Sequence, residues 1–298
     1  MYVGDPRGHP QTSVPESAPL SHPLGTLFPM ALPLPTSLTP SKVAAFKDCA
    51  LAFRFSVIDG LPEPPSPPAV KGTLVHRALQ LLLEGPAATR TRARGGECLA
   101  LARQELRTDP EFAGLELDEE AEAAFAAEAA VLIGRYFDLE DPRLVEPVGL
   151  ELQLEVQVGS LTLRGIIDRL ERDEQGGLVV TDYKTGGVPP AFAEQQRLGG
   201  VHFYAYLCEQ FYGERPSRVQ LLYLKEPVSI VAYPSEQSIR GLRQRTSAIW
   251  AAVERACERE DFRPRTSRLC DWCAFQAYCP AFGGDPARAR ELVVGAAR

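Results

Sequence analysis

The chain has 298 residues, 45% of them hydrophobic and 24% charged, with a formal net charge of −7. That composition suits a globular protein with a sizeable core, as one large domain or two modest ones, and excludes a fibrous or largely disordered chain. No run approaches the roughly 20 apolar residues of a membrane span, and no cationic start followed by an apolar stretch marks a secretory leader, so a cytoplasmic protein is expected.

Residues 1–40 hold nine prolines and little charge. Proline fixes φ and lacks a backbone donor, so 1–38 is expected to be a disordered tail. Thr39-Pro40-Ser41 then reads as a helix start, with Val43, Phe46 and Ala50 along one face. A proline-rich stretch, Leu61–Pro68, closes this unit as a stiff loop. Lys71–Glu84 reads as a helix carrying His76, Leu79 and Leu83 on one face. A long helical region runs from about Gly96 to Phe137, with a break near Asp109-Pro110. At Leu150–Val158 the period changes to strict alternation, the mark of a half-buried strand. Leu161–Leu170 and Leu178–Lys184 are two more strands around the turn segment Asp173–Gly177. Ala191–Tyr212 reads as helix, Val219–Leu224 and Val228–Tyr233 as a strand pair, and Ser235–Arg259 as a last long helix. The order predicts a mixed α/β fold: helices, a mostly antiparallel sheet, then helices, with a helical insertion at about 86–145.

Charge is uneven along this order. Residues 110–155 hold 13 acidic and 2 basic side chains, whereas 238–268 hold 8 arginines against 4 acids. Arginine outnumbers lysine 27 to 5. Arginine forks suit phosphate, although a general bias toward arginine explains the ratio equally well. The acidic total disfavours a general nucleic-acid coat.

Two carboxylates flank the first hairpin, Asp168 in Gly165-Ile-Ile-Asp168 and Asp182 in Thr181-Asp182-Tyr183-Lys184. A turn centred on Gln175 places them directly opposite each other, with Lys184 on the face of Asp182. Paired carboxylates repel, and a hard divalent cation between them removes the repulsion. A solvated hairpin end explains the same residues without a metal. His76 fits either a hydrogen-bonded core or a third ligand.

The seven cysteines are an odd number, which speaks against a disulfide framework in a reducing compartment. Cys98, Cys208 and Cys257 sit in apolar, helical surroundings and are expected in the core. Cys270-x₂-Cys273-x₅-Cys279 has the local spacing of a zinc or iron–sulfur site, and Cys49 is the best fourth ligand. Spacing does not choose between the two.

Taken in order, Ser41–Cys49, Gly72-Thr-Leu-Val-His76, Gly165-Ile-Ile-Asp168-Arg169, Thr181-Asp-Tyr-Lys184-Thr-Gly and the cysteine run resemble the RecB-type branch of the PD-(D/E)XK nuclease superfamily, over roughly residues 38–283. The resemblance implies a restriction-endonuclease-like core, a mixed central sheet flanked by helices, within a nuclease domain at 39–283 that a tail at 284–298 follows. It implies that His76, Asp168, Asp182 and the Tyr183 carbonyl bind Mg²⁺ or Mn²⁺. Lys184 would position the attacking water or stabilise phosphate charge, so that Asp168, Asp182 and Lys184 are the catalytic set. It further implies a structural [4Fe–4S] cluster on Cys49, Cys270, Cys273 and Cys279, in a C-terminal segment at 270–280, with Zn²⁺ as the alternative. The expected activity is that of a DNA exonuclease acting on single-stranded ends in repair or recombination; the alternatives are a non-catalytic DNA-binding subunit of a helicase–nuclease complex and a zinc-binding regulatory module. Positive surface for DNA is expected from the arginine set at 240–268, with Arg240, Arg243 and Arg245 as the residues to change in a test. The family often has Gln four residues before a helical Tyr; before Tyr204 that position is Gly200, with Gln195 and Gln196 as the nearest substitutes. No Gly-x₄-Gly-Lys-Ser/Thr phosphate loop occurs, so unwinding would need a helicase partner.

Overall fold

The computed structural model describes residues 32–289. Tethering of the chain begins before the first helix: the Leu32 N–H donates to Cys257 O, and Leu38, wholly buried, bridges Leu163 as a one-residue parallel strand. The tail expected to reach residue 38 is therefore already part of the fold at Leu32; residues 1–31 of that assignment lie outside the described residues. Within the C-terminal tail expected at 284–298, Ala289 is buried against the same apolar cluster as Cys257, and 290–298 lie outside the described residues.

Helix α1 (Pro40–Asp48) starts as its sequence demands, with Thr39 Oγ1 accepting the Lys42 N–H and Pro40 in the first turn. It does not run on to Ala50. Cys49 is extended (φ −158°, ψ 111°) and separates α1 from the short α2 (Ala50–Phe53), which passes into a π-turn at Arg54–Ile58. Helix α3 (Pro67–Glu84) begins four residues earlier than expected, because Pro67 and Pro68 fit the first helical positions, where a missing N–H costs nothing. After α3 come α4 (Arg92–Leu106), the single turn α5 (Pro110–Ala113) and α6 (Glu119–Leu139). Asp109 makes the break between α4 and α5 by accepting the Glu111 N–H at 2.7 Å.

Strands β1 (Pro147–Val158), β2 (Leu161–Arg172), β3 (Leu178–Lys184), β4 (Arg218–Tyr223) and β5 (Val228–Ala232) form one sheet in chain order. Only the β3–β4 pairing is parallel, and α7 (Ala191–Tyr212) makes the crossover that a parallel pair requires. Helix α8 (Glu236–Arg259) follows β5 with a reciprocal Ser235–Ser238 capping box. One apolar core packs the sheet against α7 and α8; a second packs it against α3, α4 and α6. A third joins α2, the end of α8 and the cysteine segment. Cys98, Cys208 and Cys257 are all buried as expected, and burial pushes the Cys208 thiol up to about 12 and Cys257 to about 11. Among the described residues no helix is long and apolar enough to cross a membrane.

Candidate functional site

The β2–β3 register sets the site. The ladder pairs Arg172 with Leu178, Glu171 with Val179, Leu170 with Val180 and Arg169 with Thr181, where it ends, and Asp168 and Asp182 are the next residues along the two strands. Asp173 fixes this register at the turn, its Oδ1 accepting the N–H groups of Gln175 (3.0 Å) and Gly177 (2.8 Å), while Gly176 takes the left-handed φ of +84°. Both carboxylates are buried, at 8% and 4% exposure. Asp168 Oδ2 accepts the Tyr183 N–H at 2.6 Å, which holds the side chain against β3. The Lys184 ammonium lies against Asp182 Oδ2, yet that oxygen has no donor in hydrogen-bonding alignment.

His76 arrives from the middle of α3. One turn earlier, a Cβ on Gly72 would stand 3.4 Å from Thr185 Oγ1, so the bare glycine lets α3 close on the end of β3. The imidazole then reaches round the strand: Nε2 lies 3.1 Å from the Tyr183 carbonyl oxygen, and Nδ1 lies 3.5 Å from Asp168 Oδ1. His76, Asp168 and the Tyr183 carbonyl therefore meet at one place, with Asp182, paired to Lys184, beside Tyr183 on β3.

Glu151 joins them, and sequence periodicity misses it. In strict alternation it belongs to the solvent face, between Leu150 and Leu152. Instead the strand turns over at this residue. Leu152 and Leu154 join the core beneath α7, whereas Leu150 packs with α3 and α6. β2 turns over with it: Ile167 belongs to the α7 core, but Arg169 donates to Tyr183 and contacts Tyr136 in the other. Glu151 makes the turn with φ +45°, a conformation that costs a non-glycine residue about 1–2 kcal/mol and that clusters at functional sites. Its carboxylate comes to 3.9 Å from His76 Nδ1, and the ligand atoms of His76, Glu151 and Asp168 all lie within 4.8 Å of one another. One sequence signal does point to it. Val158 pairs with Leu161 across the Gly159-Ser160 turn, and counting back along that register places Glu151 opposite Asp168.

The electrostatics follow from this crowding. Burial disfavours a charged imidazole, but Asp168, through its hydrogen bond and its charge, with Glu151 and Asp182 behind it, raises His76 to about 9. Burial also raises Asp182, with Asp168 adding to the shift and Lys184 opposing it. Glu151 is raised by burial and then by Asp168. The carboxylates, the imidazole and the backbone carbonyl are a hard, mostly oxygen donor set, with His76, Glu151 and Asp168 close enough to share one ion, and they fit a divalent cation such as Mg²⁺ or Mn²⁺.

Tyr204 closes the site from α7. Burial first, then the charges of Asp182, Asp168 and Glu151, push its phenol well above the ordinary range, so it stays neutral. Gly165 makes its approach possible, because a Cβ there would stand 2.7 Å from Leu207 Cδ1 and 3.3 Å from Tyr204 Cε1. Gly200 faces open space: a Cβ there would meet no atom within 4 Å. The side chains of Gln195 and Gln196 lie outside the described residues. Behind the site, Arg169 is fully buried and holds Glu140, Glu171 and the Tyr183 hydroxyl together.

The four predicted cysteines line one cavity of about 260 Å³ between α2 and the C-terminal turns. Arg265 N–H points at Cys49 Sγ and Ser267 N–H at Cys270 Sγ, both at 3.4 Å. Burial raises Cys273, the Phe275 N–H opposes the shift, and the other three sulfurs add to it. Thiols aimed at a common space, with backbone donors on two of them, fit a thiolate-bound group whose sulfurs need hydrogen bonds.

Two of the arginines expected to meet DNA are placed by their contacts. Arg240 pairs with Glu236, and Arg243 stacks over Tyr206 at 5.9 Å. Both border a cavity with Leu161 and Leu163, five residues from Asp168 along β2 and so about 16 Å from it.

Residues 37–280 match the family model of the PD-(D/E)XK nuclease superfamily. Among solved structures, the chain is similar to a crystal structure from Eubacterium rectale of a protein provisionally named an exonuclease, with TM-score 0.52 and 11% identity over 80% of this chain and 87% of that one. It is also similar to the crystal structure of SSO0001, with TM-score 0.35 and 15% identity over 71% of this chain and 84% of that one. At 11% identity the likeness to the Eubacterium rectale structure is one of fold alone. No curated protein matches the chain.

Proposed function

The chain belongs to the PD-(D/E)XK nuclease superfamily, and from that premise we propose that it is a metal-dependent DNA exonuclease acting on single-stranded ends in repair or recombination. The observation that carries the reading is the convergence of His76, Asp168 and the Tyr183 carbonyl, with Glu151, Asp182 and Lys184 beside them. His76, Asp168, Asp182 and the Tyr183 carbonyl would hold Mg²⁺ or Mn²⁺, with Glu151 as a further carboxylate. A divalent cation there supplies Lewis-acid charge and acidifies the attacking water.

The chain's own residues do the rest. The Lys184 ammonium, 35% exposed and beside Asp182, can orient the water and neutralise charge that grows on the phosphate. Asp168, clamped at Oδ2 by the Tyr183 N–H, turns its other oxygen toward His76. Tyr204, a neutral phenol, offers a hydrogen-bond donor to the scissile strand. The chain carries no phosphate-loop motor, so a helicase partner would supply single strands from duplex DNA.

The cysteine cavity would hold a [4Fe–4S] cluster as a structural pin joining Cys49, after α1, to the C-terminal turns.

The test uses anaerobically purified protein on end-labelled single- and double-stranded substrates with Mg²⁺ or Mn²⁺. The expected result is metal-dependent loss of label from single-stranded ends, abolished in Asp182→Ala, in a brown protein whose colour the substitution leaves intact. Absence of cleavage with either metal, or full activity in Asp182→Ala, refutes the assignment.

A further inference from the structure

Only five lysines occur in the chain, against 27 arginines, and three of them gather at the carboxyl ends of the parallel pair β3–β4. Lys184 ends β3. The Leu224 N–H donates to the Lys184 carbonyl at 2.8 Å, extending the parallel ladder, and Lys225 follows directly. Lys71 stands at the near end of α3, next to the Gly72 that packs on Thr185, and pairs with Glu128 of α6. Glu128 also feels the charge of Lys225, so the two lysines flank one carboxylate.

The turn that bears Lys225 is braced on both sides. The Arg135 guanidinium donates to the Lys225 carbonyl, and Glu226 Oε2 accepts the Val188 N–H at 3.3 Å. Lys225 itself is exposed. The rim therefore carries Lys71, Lys184, Lys225 and Arg135 against Glu128, Glu226 and the Asp182 that pairs with Lys184, four cations against three carboxylates on a chain whose total is negative. Ligands of open α/β sheets bind outside the carboxyl ends of parallel strands, and a lysine is a mobile point charge suited to a backbone that must slide.

We propose that the phosphodiester backbone of the substrate strand crosses this rim, with Lys225 and Lys71 binding the phosphates that flank the one presented to Lys184. The inference rests on the nuclease reading and replaces Arg240, Arg243 and Arg245 as the DNA-contacting surface. Each bound phosphate contributes about 0.7 to the slope of log affinity against log salt for a single strand, which amounts to about eightfold in affinity at 50 mM salt.

The experiment measures fluorescence anisotropy of a labelled single-stranded oligonucleotide between 50 and 200 mM NaCl, with Asp182→Ala as the non-cleaving background. Lys225→Ala is expected to flatten the slope by about 0.7 and Lys71→Ala/Lys225→Ala by about 1.4, while Arg240→Ala leaves it unchanged. An unchanged slope in Lys225→Ala, with the background protein binding and the wild type cleaving, overturns the rim alone. A wild type that neither binds nor cleaves overturns the nuclease reading with it. Thermal melting of each variant accompanies the titration, and Lys225→Glu supplies a charge reversal whose loss of affinity must exceed that of Lys225→Ala.

Discussion

Replacing Arg169 by Met tests the account of how the site is supported. The guanidinium is wholly buried. Nη2 donates to Glu140 Oε2 at 2.9 Å and to Glu171 Oε1 at 3.2 Å; Nη1 donates to Tyr183 Oη at 3.0 Å and to Glu140 as well. Glu140 directly follows α6 and Glu171 lies on β2, so one cation joins a helix end, a strand and the ring of the residue whose carbonyl faces His76. Methionine preserves most of the volume but leaves two neighbouring, mostly buried carboxylates without a counter-charge. Breaking a buried ion pair from one side costs about 3–5 kcal/mol, a large part of a typical total of about 5–15 kcal/mol. At roughly 2–4 °C per kcal/mol for a domain of this size, the midpoint should fall by about 6–20 °C. Circular dichroism melts and urea titrations of metal-free protein measure it. The triple variant Arg169→Met/Glu140→Gln/Glu171→Gln should recover at least half of the loss, because it removes the stranded charges. A loss under about 1 kcal/mol, or no recovery in the triple variant, refutes the reasoning.

Asp182→Asn should abolish metal-dependent cleavage and yet raise the melting midpoint of EDTA-treated protein by a few degrees, since it removes a buried charge set beside Asp168; a lower midpoint contradicts the electrostatic picture. Gly165→Ala should cost about 1–3 kcal/mol by urea denaturation, because its methyl would meet Leu207 at 2.7 Å and force α7, with Tyr204, outward. On the proposed cluster, Cys270→Ala should lose bound iron, read as iron per chain and visible absorbance, and should lower the melting midpoint because the third apolar cluster would lose its pin. Gly284→Ala should have a similar effect without touching a ligand: a Cβ there would stand 2.4 Å from Ala277 O and 2.6 Å from Cys279 N, backbone atoms of the cysteine segment that have no room to yield. Wild-type iron content in that variant contradicts it.

Local chemistry wrote much of this fold into the sequence. Thr39-Pro40 and Asp109-Pro110 mark helix boundaries because a capping oxygen beside proline satisfies the first turn, and the Asp173–Gly177 turn fixes the β2–β3 ladder, beyond whose end Asp168 and Asp182 are the next residues. The order of motifs likewise announced His76, Lys184 and the four cysteines as candidates. Tertiary structure decided what periodicity does not encode. Alternation assumes a strand that keeps its faces, so it sent Glu151 to solvent; the left-handed backbone at that residue turned it toward His76. Arg169 takes its carboxylate partners only when α6 delivers Glu140 to it from 29 residues away. Helix α8 carries five arginines, but packing laid Arg240 and Arg243 along the β1–β2 end, while two isolated lysines came to the end of the parallel pair. Caps and turns are settled by neighbours within a few residues, whereas the partners of a buried charge are settled by which elements the core brings together.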